Sequence, residues 1–326
     1  MRPLAATTAA IALLAIPATA QDAVPTPGEI DAASFDGGDL ADGRSALTVK
    51  VQVLLDRAAV SPGVIDGYKG GMSESAIRAF EAREGLPVDG MLDAEVWRAL
   101  GGPDAAPISA LHAITAEQAS VVPSLPDDYA ELAERDRLGF ERVSEAVAEA
   151  FHMDEDFLIA LNPGAAFAEG EEVVVVEPGS PVEGSVVRIE VDAVNQRLRA
   201  YGADGAVISN YPVTVGSEDN PSPSGEHEVE AIAFDANYTY DPDVNFQQGD
   251  NDEMLILPPG PNNPIGTLWI DLSEPTYGIH GTPAPAQLFT NQSHGCVRMT
   301  NWDAEELAGL VDEGMKSETV TVEFVR

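Results

Sequence analysis

Two stretches of loop-like composition divide this chain, and the division constrains its fold more than any other feature of the sequence. Residues 21–43 are rich in Pro, Gly, Asp and Ser without a hydrophobic period, and residues 102–127 contain four prolines. Proline and glycine interrupt helices and strands, so such stretches are typical of connections between folded units. We therefore predict linkers at 21–43 and 102–127 in a multidomain chain of 326 residues.

The first folded unit, residues 44–101, has the pattern of a small three-helix domain. The spacing of apolar residues from Val49 to Leu55 predicts one helix. Ser73 is expected to cap the start of a second helix and Asp93 the start of a third, because both side chains can accept a backbone N–H.

A set of positions in this unit matches a known family pattern, and these are Gln52, Leu55, Asp66, Gly67, Phe80, Gly85, Leu86, Asp89, Gly90, Trp97 and Leu100. By these residues the unit resembles the peptidoglycan-binding domain of the three-helix type, although the family often has Gln where this chain has Glu81. The resemblance implies wall binding, whereas the residues alone also fit a generic helical bundle with Phe80 and Trp97 in its core.

Residues 128–178 have the pattern of a second, smaller unit. Helical segments are predicted from Tyr129 onward and end at Asn162-Pro163-Gly164, before a short strand at Val173–Val176. Two helices flanked by strands resemble a LysM-like α+β wall-binding module. A structural spacer is the alternative.

Residues 179–326 have the alternating pattern of β-strands, with one clear helix at Trp302–Val311 that Thr300 is expected to cap. We predict a mostly β, β-sandwich-like domain with one helix. The polar, Pro-rich loop at 235–264 is long enough to be either functional or disordered.

The composition excludes several classes of protein. The chain has 55 acidic and 17 basic residues and a net charge of −38, which makes binding to nucleic acid or an anionic membrane improbable. Its hydrophobic content of 44% is enough for a folded core, which argues against a disordered acidic chain.

Residues 1–20 have the pattern of a secretory signal peptide. Arg2 precedes an apolar run at Ala9–Ile16, and Ala18-Thr19-Ala20 matches a small-x-small cleavage site. The run is too short for a membrane span. We expect export and, with wall-binding modules, a location in the bacterial periplasm or cell envelope.

The chain contains a single cysteine, Cys296, which excludes an internal disulfide and a multi-Cys zinc site. His280 lies sixteen residues before it. His294 lies two residues before it, and on a strand this spacing puts the side chains of His294 and Cys296 on one face. An imidazole can generate the thiolate that a nucleophilic cysteine needs. Gly295 leaves the adjacent backbone open, so N–H groups there could stabilise an oxyanion.

Arg298 stands out in an acidic stretch. Between Arg199 and Lys316 the chain has nineteen acidic residues, and Arg298 is the only lysine or arginine. Two residues from the thiol, this cation could stabilise the thiolate or bind a substrate carboxylate. The alternative is a structural salt bridge with one of the many carboxylates.

These residues resemble the catalytic motif of the L,D-transpeptidases, over residues 185–326. The resemblance implies that Cys296 is the nucleophile, that His280 is the general base and acid, and that the backbone carbonyl of Gly281 orients the imidazole. It implies no cofactor, and it assigns pocket and substrate contacts to Arg298, His294, Gly295, Ser293 and Tyr277. The matching segments are His280-Gly281-Thr282, Ser293–Met299 and Pro258–Gly266.

The resemblance also implies a reaction. Cys296 would attack the amide before the terminal D-Ala of a peptidoglycan tetrapeptide stem, and an amine would resolve the acyl-enzyme. We expect 3–3 cross-links, with a lipoprotein lysine, a free D-amino acid or water left open as the acceptor. Carbapenems are expected to acylate the same thiol.

Two other classes of function remain open from the residues. His280, His294 and Cys296 could form a zinc site instead. The protein could also be a non-catalytic wall-binding scaffold with an inert cysteine.

Overall fold

A computed structural model describes residues 23–217, 220–290, 293 and 295–325. The predicted signal peptide therefore lies outside the described residues. Within these residues, no helix is long and apolar enough to cross a bilayer.

The first group of elements consists of α2 (Ala46–Arg57), α3 (Gly71–Glu84) and α4 (Ala94–Ala99), which pack around a core that includes Phe80 and Trp97. Asp93 begins α4 as predicted, because its carboxylate accepts the N–H groups of the first helical turn.

The prediction that Ser73 caps the second helix is wrong. Helix α3 begins after Gly70, and Ser73 lies inside its first turn. The Ser73 hydroxyl is buried, where it accepts a 3.0 Å hydrogen bond from the side-chain amide of Gln52 on α2. The hydroxyl oxygen that the sequence pattern predicted to cap α3 therefore binds a side chain of another helix instead.

The segment predicted as a linker at 21–43 contains a helix, α1 (Pro27–Ala32). Thr26 and Glu29 form a capping box at its start. Ile30 has no exposed surface and belongs to the same apolar core as Val49 of α2. One buried isoleucine in a short polar segment produces no hydrophobic period, so the Thr-x-x-Glu spacing of the capping box was the local signal that could have indicated this helix.

The segment predicted as a linker at 102–127 contains a strand, β1 (Ser109–Ala113). It pairs antiparallel along its whole length with β2 (Glu172–Val176). Helices α6 (Val143–Ala150) and α7 (Glu155–Leu161) lie between these strands in the chain, and α5 (Tyr129–Ala133) lies in the connection from β1 to α6. The small unit predicted at 128–178 therefore takes its first strand from the predicted linker. Wall binding by this unit stays a prediction.

The C-terminal part is mostly β with one α-helix among its described residues, as predicted. Helix α8 (Asn301–Met315) begins at Thr300, whose hydroxyl accepts the N–H of Asp303. Eight strands form one sheet, and these are β3 (Arg188–Asp192), β4 (Arg197–Tyr201), β5 (Val207–Pro212), β6 (Gly225–Phe234), β9 (Leu268–Leu272), β10 (Gly278–His280), β11 (Val297–Arg298) and β12 (Thr321–Val325). Their order in the sheet is β11-β10-β9-β6-β12-β3-β4-β5.

This sheet is curled rather than split into the two layers of the predicted sandwich. Thr214, just beyond β5 at one end, exchanges two backbone hydrogen bonds of 2.9 Å with Arg298 of β11 at the other end. The inner face shares a core with α8, in which Leu307 and Val311 are fully buried. Period-2 alternation identifies one buried face per strand but does not tell one curled sheet from two flat ones.

The role of Ile30 can be tested by removing its side chain. We expect Ile30→Ala to lower the free energy of unfolding by about 2–5 kcal/mol, because the change leaves a cavity in a core. Ile159→Ala is the matched control, since Ile159 is also helical but 43% exposed. Denaturant unfolding followed by circular dichroism measures both. Equal, small effects would mean that residues 23–43 behave as a linker in solution.

Candidate active site

The pairing of β10 with β11 brings together the two motifs that the sequence predicts to be catalytic. The strands are parallel neighbours, with Ile279 opposite Val297 and His280 opposite Arg298. Cys296 directly precedes β11. Five of the predicted site residues line one cavity of about 580 Å³, and these are Tyr277, His280, Ser293, Cys296 and Arg298. His294 lies outside the described residues.

The turn before Cys296 is fixed by Ser293 and Gly295. The Ser293 hydroxyl accepts the N–H of Gly295 at 3.1 Å and donates to the carbonyl of Cys296 at 2.6 Å. Gly295 has φ +116, and a Cβ there would lie 2.5 Å from the Tyr277 ring. Only glycine fits this position without strain. The Gly295 N–H donates to the Ser293 hydroxyl, and stabilisation of an oxyanion by backbone N–H groups beside Cys296 stays a prediction.

His280 is held in one orientation by its backbone neighbour. The Nδ1 atom lies 2.7 Å from the carbonyl oxygen of Gly281. A carbonyl can only accept, so Nδ1 carries the proton, and Nε2 of the neutral ring keeps its lone pair. The Trp269 ring stacks on the imidazole with the ring centroids 5.6 Å apart.

Burial keeps both members of the Cys–His pair neutral at rest. Removal from water, together with repulsion by Arg298, lowers the pKa of His280 to about 3. Burial raises the pKa of the Cys296 thiol above its ordinary value, against the opposing effects of the Gly278 N–H and the Arg298 charge. The resting site therefore contains a thiol and a neutral imidazole rather than an ion pair.

Arg298 carries an uncompensated charge beside the thiol. Its Nε is buried without a hydrogen-bond partner, and it forms no ion pair with a carboxylate of the described part of the chain. Burial lowers the pKa of the Arg298 guanidinium. The negative charges that Cys296 and Tyr129 carry when deprotonated oppose that effect. The alternative of a structural salt bridge therefore finds no support in residues 23–217, 220–290, 293 and 295–325.

The opposite wall of the cavity comes from outside the curled sheet. Strands β7 (Tyr238–Tyr240) and β8 (Leu255–Leu257) form a small antiparallel ladder within the 235–264 loop. Tyr129 of α5 packs edge-on against Tyr240 and Phe246, with centroids 5.3 and 6.1 Å away. Tyr129, Tyr238 and Phe246 line the cavity that contains Cys296. The loop at 235–264 is thus part of the site, and a helix from the N-terminal region completes it.

The described residues include no group of three His, Cys, Asp or Glu side chains arranged to hold a metal ion. The alternative of a zinc site also involves His294, which is not among those residues.

Comparison with known proteins identifies the family. Residues 186–322 match the L,D-transpeptidase catalytic domain, and residues 44–100 match a peptidoglycan-binding domain. The L,D-transpeptidase YkuD of Bacillus licheniformis is 30% identical over 176 residues, which cover 53% of this chain and 90% of that protein. The chain belongs to the YkuD family of L,D-transpeptidases. The resemblances of residues 185–326 to the L,D-transpeptidases and of residues 44–101 to the peptidoglycan-binding domain are thereby confirmed. The resemblance of residues 128–178 to a LysM-like module stays a prediction.

Further L,D-transpeptidases are similar to this chain. YkuD of Bacillus subtilis is 27% identical over 173 residues, which cover 52% of this chain and 89% of the relative. The crystal structure of L,D-transpeptidase 3 from Mycobacterium tuberculosis with a faropenem-derived adduct is 16% identical, with a TM-score of 0.34. That match covers 48% of this chain and 65% of the other.

Sequence reasoning missed several residues of this L,D-transpeptidase site. Trp269 is opposite His280 in the β9–β10 register, and Tyr129 lies more than 160 positions before Cys296. Nδ2 of Asn301 donates to the carboxyl of Glu149 across the interface between α8 and the N-terminal region. Only Asn301, two residues after the catalytic motif, was close enough in sequence to have drawn attention.

The effect of Arg298 on the thiol can be measured directly, because Cys296 is the only cysteine. We expect Arg298→Ala to slow alkylation by iodoacetamide about tenfold at neutral pH, because loss of an adjacent opposite charge disfavours the thiolate. The pH midpoint of the alkylation rate should rise, whereas a change in access alone would alter only the plateau. Arg298→Lys, which keeps the charge, should stay close to wild type. An unchanged midpoint in Arg298→Ala would contradict the assignment.

Proposed function

We propose that this protein is a cysteine-dependent L,D-transpeptidase that acts on the tetrapeptide stems of peptidoglycan and forms 3–3 cross-links. One observation supports this most: a lone thiol shares a cavity with a neutral imidazole, whose Nδ1–H is fixed by Gly281, and with an unpaired arginine. This combination supplies a nucleophile, a base with a free lone pair, and a site for an anion.

Acylation begins with the neutral pair. As Sγ of Cys296 attacks the carbonyl carbon between the third residue and the terminal D-Ala, Nε2 of His280 takes the thiol proton. The bond Nδ1–H···O=C to Gly281 stabilises the imidazolium that forms. When the tetrahedral intermediate collapses, the C–N bond breaks, and the imidazolium protonates the departing amine of D-Ala. A thioester remains on Cys296.

Deacylation repeats these steps in reverse order. The side-chain amine of a diamino acid in a second stem attacks the thioester carbonyl, and His280 takes a proton from that amine. The C–S bond breaks, and the proton returns to the sulfur. The new amide joins the third residues of the two stems.

Arg298 is the residue we assign to the substrate carboxylate. A buried guanidinium without an anion is costly, and the terminal carboxylate of the donor stem offers the missing partner. A carboxylate bound there would orient the D-Ala amide relative to Cys296, and a bidentate guanidinium contact would also favour this end of the stem. His294 and Tyr277 are proposed to shape the same pocket.

The remaining assignments are proposals as well. We propose that residues 1–20 direct export and that the enzyme acts in the periplasm or cell envelope. We propose that the peptidoglycan-binding domain, together with the strand–helix–helix–strand unit, holds the enzyme among its substrates. Stem peptides would then be both donor and acceptor.

The acceptor can be identified with purified muropeptides. Wild-type protein incubated with disaccharide-tetrapeptides is expected to give dimers whose mass equals two substrates minus one D-Ala. Cys296→Ala and His280→Ala should give none, because each removes a group that moves in the acylation step. Mass spectrometry distinguishes the outcomes. Tripeptide monomers as the sole products would replace the transferase with a carboxypeptidase, and unchanged substrate would refute both.

Acylation by a carbapenem tests the nucleophile independently of the acceptor. The strained lactam carbonyl should react with the Cys296 sulfur, and the intact mass should rise by one drug molecule. Cys296→Ser is the matched control, because the poorer nucleophile keeps nearly the same shape. A mass increase of equal size and rate in that variant would place the reaction on another residue.

A further inference from the structure

The peptide unit between Gly281 and Thr282 is held at both ends. Its carbonyl accepts the Nδ1–H of His280 at 2.7 Å, and its N–H donates to Oδ1 of Asn301 at 3.1 Å. The orientation of one peptide plane therefore decides whether His280 has its acceptor. Asn301, the first residue of α8, controls that plane from the side opposite the imidazole.

Asn301 has no freedom to turn its own amide. Its Nδ2 donates to both carboxyl oxygens of Glu149 at 3.1 Å and to the carbonyl of Pro261 at 3.2 Å. With the –NH₂ group used by acceptors, Oδ1 must face the N–H of Thr282. Asn301 is buried, so a flipped amide would set its oxygen against a carboxyl group and a carbonyl without water to compensate.

Close packing around Asn301 reinforces this orientation. A Cβ at Gly281 would lie 2.2 Å from Oδ1, and one at Gly266 would lie 2.0 Å from it. Two different turns thus approach the amide as closely as only glycine permits. The site tolerates little movement of the Gly281–Thr282 peptide.

Glu149 reaches this site from helix α6, which belongs to the N-terminal region. The same helix face carries Glu145, which accepts from Nδ2 of Asn262 at 2.8 Å. Leu138 adds backbone hydrogen bonds to Pro259 and Asn262. The contact of Glu149 with Asn301 is therefore one part of an extended docking surface between α6 and residues 258–266.

The surroundings of the Glu149 carboxyl are acidic as well as dry. Burial and the nearby Glu145 and Glu305 raise the pKa of this carboxyl to about 8. Asn301 is its neutral hydrogen-bond partner. Protonated or not, the carboxyl keeps an oxygen that accepts from Nδ2, so this contact does not depend on a narrow pH range.

We propose that Asn301 and Glu149 are positioning residues that keep the Gly281 carbonyl on Nδ1 of His280, and that the contact which α6 makes through Glu149 is therefore required for an active imidazole. This inference rests on the proposed function, in which Nε2 of His280 accepts the thiol proton. It assigns to the N-terminal region a role in catalysis besides wall binding.

The first test compares two carboxylates on α6. Glu149→Ala and Glu145→Ala each remove one carboxylate that binds an asparagine of the C-terminal part, but only Glu149 is connected to the His280 peptide. ¹⁵N NMR of histidine-labelled protein, assigned with His280→Gln, reports which ring nitrogen carries the proton. We expect the proton on Nδ1 of His280 in the wild type and in the control variant Glu145→Ala. In Glu149→Ala we expect a mixture of the two tautomers.

The second test acts on Asn301. Asn301→Ala should lower kcat for muropeptide dimer formation about 100-fold with little change in KM, because a misplaced base costs rate rather than binding. Asn301→Asp should also be impaired, since its second oxygen would face the carbonyl of Pro261, which has no proton to donate, as well as the carboxyl of Glu149. Adding Glu149→Gln provides a donor to that oxygen and should recover activity at least about tenfold and restore the Nδ1–H tautomer.

The outcomes separate this inference from the proposed function. If wild type is active while Asn301→Ala and Glu149→Ala keep the wild-type tautomer and kcat, the positioning role is refuted and the transpeptidase stands. If wild type neither forms dimers nor reacts with a carbapenem, the proposed function fails, and the tautomers still decide the positioning role. If Asn301→Ala does not fold, the Glu149→Ala and Glu145→Ala pair decides it.

Discussion

The short parallel pairing of β10 with β11 is the constraint on which the site depends. It spans two residue pairs, yet it sets His280 of β10 beside Arg298 of β11, and Cys296 directly precedes β11. The same strand β11 is also hydrogen-bonded to Thr214, where the curled sheet meets its other end. The residue that closes the sheet, Arg298, is thus also a residue of the site.

Desolvation dominates the electrostatics of this site. The chain carries a net charge of −38, yet Arg298, beside the thiol, forms no ion pair with a described carboxylate, and its buried Nε has no hydrogen-bond partner. Arg298 favours the thiolate, but burial of Cys296 outweighs it, and burial and Arg298 together keep His280 neutral. The site is therefore prepared for proton transfer during attack and for the arrival of an anion, rather than for storing an ion pair.

The features that were predicted correctly from the sequence are those that depend on residues close together in the chain. Asp93 and Thr300 cap their helices, and the motif around Cys296 identified the family, because each depends on neighbours in the chain. The helix containing Ile30, strand β1 and the buried hydroxyl of Ser73 depend on partners far away in sequence, and no periodicity reveals those. The chain of contacts from Glu149 to His280 is of the same kind, since it joins residues more than 130 positions apart.

The N-terminal elements are built into the catalytic part rather than tethered to it. Val49 of the peptidoglycan-binding domain shares a core with Val147 of α6, and α6 in turn contacts Asn262 and Asn301. Helix α5 from the same region contributes Tyr129 to the cavity wall. Peptidoglycan is rich in carboxylates, so this acidic chain gains nothing from long-range attraction to it. In the proposed function, direct packing between the proposed wall-binding elements and the part that contains Cys296 offers another way to bring stem and nucleophile together, because the elements proposed to hold the polymer also contact the site.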